Sequence, residues 1–131
     1  TEIYTLSLHD ALPICEIGDV GEEATANFLL KNGYEILKRN YTVRGGEVDI
    51  IAKKNDVIAF VEVKTRGKNP IVTGENAITK SKKQLIIKTA ERFLLTLNEP
   101  CNCRFDVAVV EAREMKVVRL KYYVSAFDAS K

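Results

Sequence analysis

The chain has 131 residues and a mass of 14.7 kDa, the size of one domain, and its 46% apolar and 29% charged residues suit a folded globule. No run approaches the ~18 apolar residues that cross a bilayer, which excludes helical membrane proteins. The single histidine, His9, excludes machinery built on several histidines, such as an H-E-x-x-H zinc site. The net charge of +2 is unevenly spread: residues 1–30 hold six acids and no Lys or Arg, so the rest carries +8, with a local +6 over residues 64–92. Such a stretch suits either a polyanion-binding face or a solvated lysine-rich helix. Three cysteines, Cys15, Cys101 and Cys103, make no paired framework. That pattern points to a reducing compartment and so to the cytoplasm. Cys101 and Cys103 alone are too few for a closed zinc site.

In chain order, residues 1–15 (TEIYTLSLHDALPIC) begin on Thr rather than Met and lack a basic signal-peptide region. They read as a non-native segment of a fragment or conceptual translation, ahead of a single domain over 16–131. Ala24, Phe28 and Leu29 predict a helix over 19–32 that stops at Asn32-Gly33. Strands follow over 34–43, 47–53 and 57–64, separated by Gly45-Gly46 and Lys54-Asn55-Asp56. These short turns predict an antiparallel meander. The third strand, VIAFVEVK, is apolar almost to its end, as a central strand covered on both faces would be. A loop with Pro70 spans 67–74. A second helix is expected over 75–98, with Leu85, Ile86, Ala90, Phe93, Leu94 and Leu97 on one stripe and Pro100 beyond its end. A strand over 105–110, an edge strand over 116–120 and a loose tail over 122–127 complete the chain. The fold class is α/β, a mixed sheet flanked by helices.

The informative constellation is Asp49 and, with twelve residues between, Glu62-Val63-Lys64. Glu62 and Lys64 are two apart, so in a strand they share a face with Ile58 and Phe60. Asp49 lies on the adjoining strand and can face Glu62. Charges that end a buried strand need partners or a metal. Two close carboxylates repel, and a divalent cation relieves the repulsion. Mg²⁺ or Mn²⁺ on such oxygens lowers the pKa of a bound water, and Lys64 can hold the water or the developing negative charge. The same residues also fit a buried Asp–Lys–Glu salt-bridge cluster. Glu22 reads as part of a capping box with Asp19. Asp106 requires a buried partner, with Arg104 or the basic helix as candidates. Gly45-Gly46 reads as a turn, and Tyr41, Tyr122 and Tyr123 as packing residues.

Four motifs taken together are more specific: G-E-x-A at 21–24, N-Y-x-x-R-x-G-E-V-D at 40–49, F-V-E-V-K-T-R at 60–66 and R-F-D-V at 104–107. In this order they resemble the YraN-type family of uncharacterised bacterial proteins over about residues 18–128. The resemblance implies a restriction-endonuclease-like α-β-β-β-α-β core of the PD-(D/E)XK type, related to archaeal Holliday junction resolvases. Carried over by position, it implies catalytic Glu22, Asp49, Glu62 and Lys64, with Asp49, Glu62 and the Val63 carbonyl on Mg²⁺ or Mn²⁺. Val48 stands where the superfamily motif has proline, and Lys80 where the family usually has one. Lys82 falls at the lysine of the family's basic helix.

The expected function is a divalent-metal-dependent endonuclease acting on nucleic acid, DNA before RNA and branched DNA in particular. Arg66, Lys68, Lys80, Lys82 and Lys83 would make the phosphate contacts. The alternatives are a nuclease-fold binding module with little turnover, or a scaffold protein with a structural carboxylate–lysine cluster. A homodimer is expected from the resolvase resemblance.

Overall fold

Alternating apolar and polar residues build the strands, and two amphipathic stretches build the helices that cover them. In the computed structural model the described residues are 2–7, 17–67, 78–114 and 116–129. Elements follow as β1 (Glu2–Ser7), α1 (Ile17–Lys31), β2 (Glu35–Val43), β3 (Gly46–Lys54), β4 (Val57–Arg66), α2 (Lys80–Leu94), β5 (Asn102–Arg113) and β6 (Lys116–Phe127). The expected α-β-β-β-α-β order therefore runs from α1 to β5. The strands form one mixed sheet in the order β1-β6-β5-β4-β3-β2. Among the described strands only β4 and β5 are parallel, and α2 lies between them in the chain. His9, Cys15, Lys68 and the loop around Pro70 lie outside the described residues.

The helices cover opposite faces. Val20, Ala24, Phe28 and Leu29 of α1 pack on Ile50, Ala52, Ala59, Val61, Ala108 and Tyr122. Ile86, Ala90 and Phe93 of α2 pack on Val48, Ile51, Ile58, Phe60, Phe105 and Tyr123. Strand β4 contributes to both clusters, as its nearly continuous apolar run required. Close approach sets two glycines. A Cβ on Gly21 would collide with the Thr65 hydroxyl, and one on Gly46 with the Thr89 hydroxyl and, at 3.2 Å, the Leu85 carbonyl. Gly45, at φ +89°, makes the β2–β3 turn.

Four elements differ from expectation, β5 among them: it runs over Asn102–Arg113 rather than 105–110. Helix α1 begins at Ile17, so Asp19 lies inside it and is not its N-cap. Helix α2 is shorter than 75–98: Thr79 caps it by accepting the Lys82 amide at 3.2 Å. At its other end, Thr96 and Leu97 donate back only three residues, to Phe93 and Leu94, and the tighter turn ends the helix before Pro100. The expected edge strand and loose tail are one strand, β6, lying between β5 and β1. The strand runs on through Tyr122 and Tyr123, which are buried on opposite faces.

Candidate functional site

The site is built where the antiparallel ladder between β3 and β4 ends. Pairing runs from Lys54↔Val57 to Ile50↔Val61 and stops there. At this point the β2–β3 ribbon turns over. The Arg39↔Ile50 pair lies on the α1 side, where Arg39 bonds Glu23 of α1 at 2.9 Å and Ile50 joins that core. The next register pair, Tyr41↔Val48, lies on the α2 side, with Tyr41 edge-on to Phe93. Between them sit Asn40, in the left-handed region at φ +52°, and Asp49. Asp49 is thereby turned toward β4, and its Oδ2 accepts the Val63 amide at 2.8 Å in place of a ladder bond. A strand residue directs its N–H and C=O to the same neighbour, so the Val63 carbonyl also faces this gap.

Glu62 and Lys64 project from the same end of β4 toward α2. Glu62 is only 4% exposed. Its Oε1 is buried with no hydrogen-bond partner, and its Oε2 lies 3.7 Å from the Lys82 ammonium. Burial, then repulsion from Asp49, pushes the Glu62 carboxyl up to about 8, helped by a hydrogen bond that the protonated carboxyl shares with Asp49 and opposed by the pull of Lys82 and Lys64. Asp49, Glu62, Lys64 and Lys82 thus form one electrostatic group. Glu22, half-buried on α1, follows Gly21, which packs against Val63 and Thr65 of β4 from the other face. The anticipated phosphate-contacting residues separate. Lys82 faces Glu62, Lys83 lies 5.6 Å above the Phe127 ring, Lys80 is exposed, and Arg66 buries an unpartnered Nε.

A second aspartate shows what a structural carboxylate looks like in the same sheet. Asp106 is fully buried at an irregularity between β5 and β6. It accepts from Arg104 Nε and Nη2, from the Tyr122 hydroxyl at 2.6 Å and from the Ser125 amide at 2.9 Å. Arg104 also reaches the Tyr34 hydroxyl at 2.6 Å. Asp106 is saturated with donors, whereas Glu62 is not. Sequence reasoning anticipated Arg104 for Asp106. It missed Tyr122 and Ser125, and it missed Lys82 as the counter-ion of Glu62.

Two carboxylates and a backbone carbonyl are hard oxygen donors of the kind Mg²⁺ or Mn²⁺ takes, with water and phosphate filling the remaining positions. The orphaned Glu62 oxygen fits that role. No cluster of three or more His, Cys, Asp or Glu side chains suited to a metal occurs among the described residues, so such an ion would lean on backbone and solvent oxygens.

Fold and site together define an α/β protein with a mixed sheet and an Asp…Glu-x-Lys cluster where its central strands part. The chain belongs to the uncharacterised protein family UPF0102, whose model matches residues 21–110. It is 40% identical over 119 residues to a UPF0102 protein of Chlorobium phaeobacteroides, covering 86% of this chain and 94% of that one. It is likewise 40% identical over 114 residues to one of Symbiobacterium thermophilum, covering 86% and 97%. Against one of Lachnoclostridium phytofermentans it is 43% identical over 110 residues, covering 82% and 89%. The α-β-β-β-α-β core expected from the YraN-type resemblance is the observed fold. Among the described residues no helix is long and apolar enough to cross a membrane.

Proposed function

We propose that this protein is a divalent-metal-dependent phosphodiesterase acting on nucleic acid, with DNA, and branched DNA in particular, as its substrate. The observation that carries this reading is Glu62: a carboxylate buried beside a second carboxylate, with one oxygen left without a partner. Desolvating such a group costs several kcal/mol unless a cation or donors compensate. Asp49, Glu62 and the Val63 carbonyl would hold Mg²⁺ or Mn²⁺. When bound, the ion supplies charge stabilisation at the phosphoryl oxygens and a more acidic water. Lys64, on the Glu62 face of β4, orients that water or meets the developing negative charge. Glu22, in the second turn of α1, would assist. Arg66, Lys68, Lys80, Lys82 and Lys83 supply backbone-phosphate contacts, a sequence-independent and salt-sensitive mode of capture. The protein would work in the cytoplasm, and as a homodimer on a two-fold substrate.

A structural reading of the same cluster draws on the Lys82–Glu62 ion pair, which partly neutralises the carboxylate without metal. The test is a cleavage screen with Mn²⁺ over branched, single-stranded and duplex DNA and RNA, with a Glu62→Ala control. Metal-dependent cleavage lost in Glu62→Ala supports the phosphodiesterase. Binding without cleavage supports a binding module. Neither binding nor any metal effect supports the structural cluster.

A further inference from the structure

Lys82 makes an incomplete ion pair. Its ammonium stands 3.7 Å from Glu62 Oε2, beyond the ~2.7–2.9 Å of a charge-assisted hydrogen bond, and it leaves Oε1 with nothing. Its backbone is fixed, since its amide caps onto Thr79 Oγ1, but its side chain remains about a third exposed, at 31%. It also sits in a first helical turn that has no acid and includes Lys80 and Lys83. Positive charge at a helix N-terminus is unfavourable and is offset by an anion.

The local charge count has a consequence. Once Glu62 is ionised, as it is when a cation takes it, Asp49 and Glu62 set two carboxylates against the ammonium groups of Lys64 and Lys82. A divalent cation between the carboxylates leaves two positive charges in excess, and a phosphodiester backbone is the anion that removes such an excess. We propose that Lys82 is an exchangeable counter-ion: it holds Glu62 when no metal is present, and it is released to a nucleic-acid phosphate when a divalent cation takes the carboxylates. Cation and nucleic acid then bind cooperatively, each raising the affinity of the other by the same factor. This rests on the metal reading of the Asp49–Glu62 site.

The experiment is calorimetric titration of Mn²⁺ into wild type, Lys82→Met and Lys82→Arg, with forked-DNA binding measured in Ca²⁺ and in chelator. Lys82→Met keeps the apolar stem and removes the competing charge. It should bind Mn²⁺ on the order of tenfold more tightly, a coupling of ordinary size. It should also lose most of the gain in DNA affinity that Ca²⁺ gives wild type. Lys82→Arg retains the charge and should behave as wild type, which guards against a fold defect in the methionine variant. Mn²⁺ affinity equal to or weaker than wild type in Lys82→Met overturns the exchange while leaving the metal site standing. Absence of Mn²⁺ binding in all three proteins overturns the metal reading and the exchange together.

Discussion

Two acidic residues in one sheet meet opposite fates. Asp106 is held by Arg104, Tyr122 and Ser125, so its charge is matched at both oxygens. Removing it leaves the Arg104 guanidinium half-buried without its carboxylate. Asp106→Ala should cost about 3–5 kcal/mol of unfolding free energy in urea titrations. Glu62 behaves in the other direction. Its carboxyl titrates near 4.5 when the chain is unfolded and near 8 when folded, because burial and Asp49 oppose its ionisation. Between those values the unfolded chain has released a proton that the folded one still holds. The contribution of Glu62 to stability is therefore fully present below about pH 4.5 and is lost as pH rises toward 8. In chelator, wild type should lose on the order of 1 kcal/mol per pH unit across this window from that one group. Glu62→Gln should flatten the curve, and an unchanged slope would show that Glu62 titrates as an ordinary glutamate. The contrast was partly legible in sequence. Glu62 and Lys64 share a face by their spacing, and Arg104 lies two residues from Asp106 on one strand. Lys82 was not legible as the partner of Glu62, because only the docking of α2 on the sheet brings them together.

At the scale of elements, the site depends on how α2 lies across β3 and β4. Gly46 permits that approach, since a methyl group there meets the Thr89 hydroxyl and the Leu85 carbonyl. A backbone oxygen cannot swing aside, so the helix itself must shift. Gly46→Ala should cost about 1–3 kcal/mol of unfolding free energy, read in urea titrations. Unaltered stability would show that α2 has room to spare. The first turn of α2 makes a separate prediction. Lys80 is exposed, while Lys82 and Lys83 are occupied with Glu62 and Phe127. Replacing Lys80 with Ala should lower the salt dependence of DNA binding by about 0.7–0.9 in log–log slope if it makes one phosphate contact. An unchanged slope assigns it to solvation of the helix. The helices and the meander were readable from periodicity and turn residues. The turnover of β2 and β3 at Asn40 and Asp49 was not, because no local residue pattern marks it. The long β6 was missed because its bulged pairing with β5 broke the alternation that the eye follows.

For the whole molecule, the sheet order puts the parallel pair β4–β5 in the middle, covered by α1 on one face and α2 on the other. Charges at the end of such a strand are placed by the entire fold, so a substitution there tests function and stability at once. Lys64 separates the two. If it orients water or stabilises the transition state, Lys64→Met should lower single-turnover cleavage by on the order of 10²–10³ with metal affinity kept or slightly raised. The fold should then remain close to wild type, because Lys82 still faces Glu62. If Lys64 is instead a structural counter-ion for Glu62 and Asp49, its loss leaves the carboxylates short of positive charge inside the sheet. Stability should then fall by ~3–5 kcal/mol even in saturating Mg²⁺. Unfolding free energy with and without Mg²⁺, measured beside cleavage on the same preparations, distinguishes these outcomes. A mutant that is stable and inactive identifies a group used in the chemistry. A mutant several kcal/mol less stable, beside a wild type that cleaves nothing, returns the Asp49–Glu62–Lys64 cluster to the role that Asp106 and Arg104 play on the neighbouring strand β5: holding the sheet together.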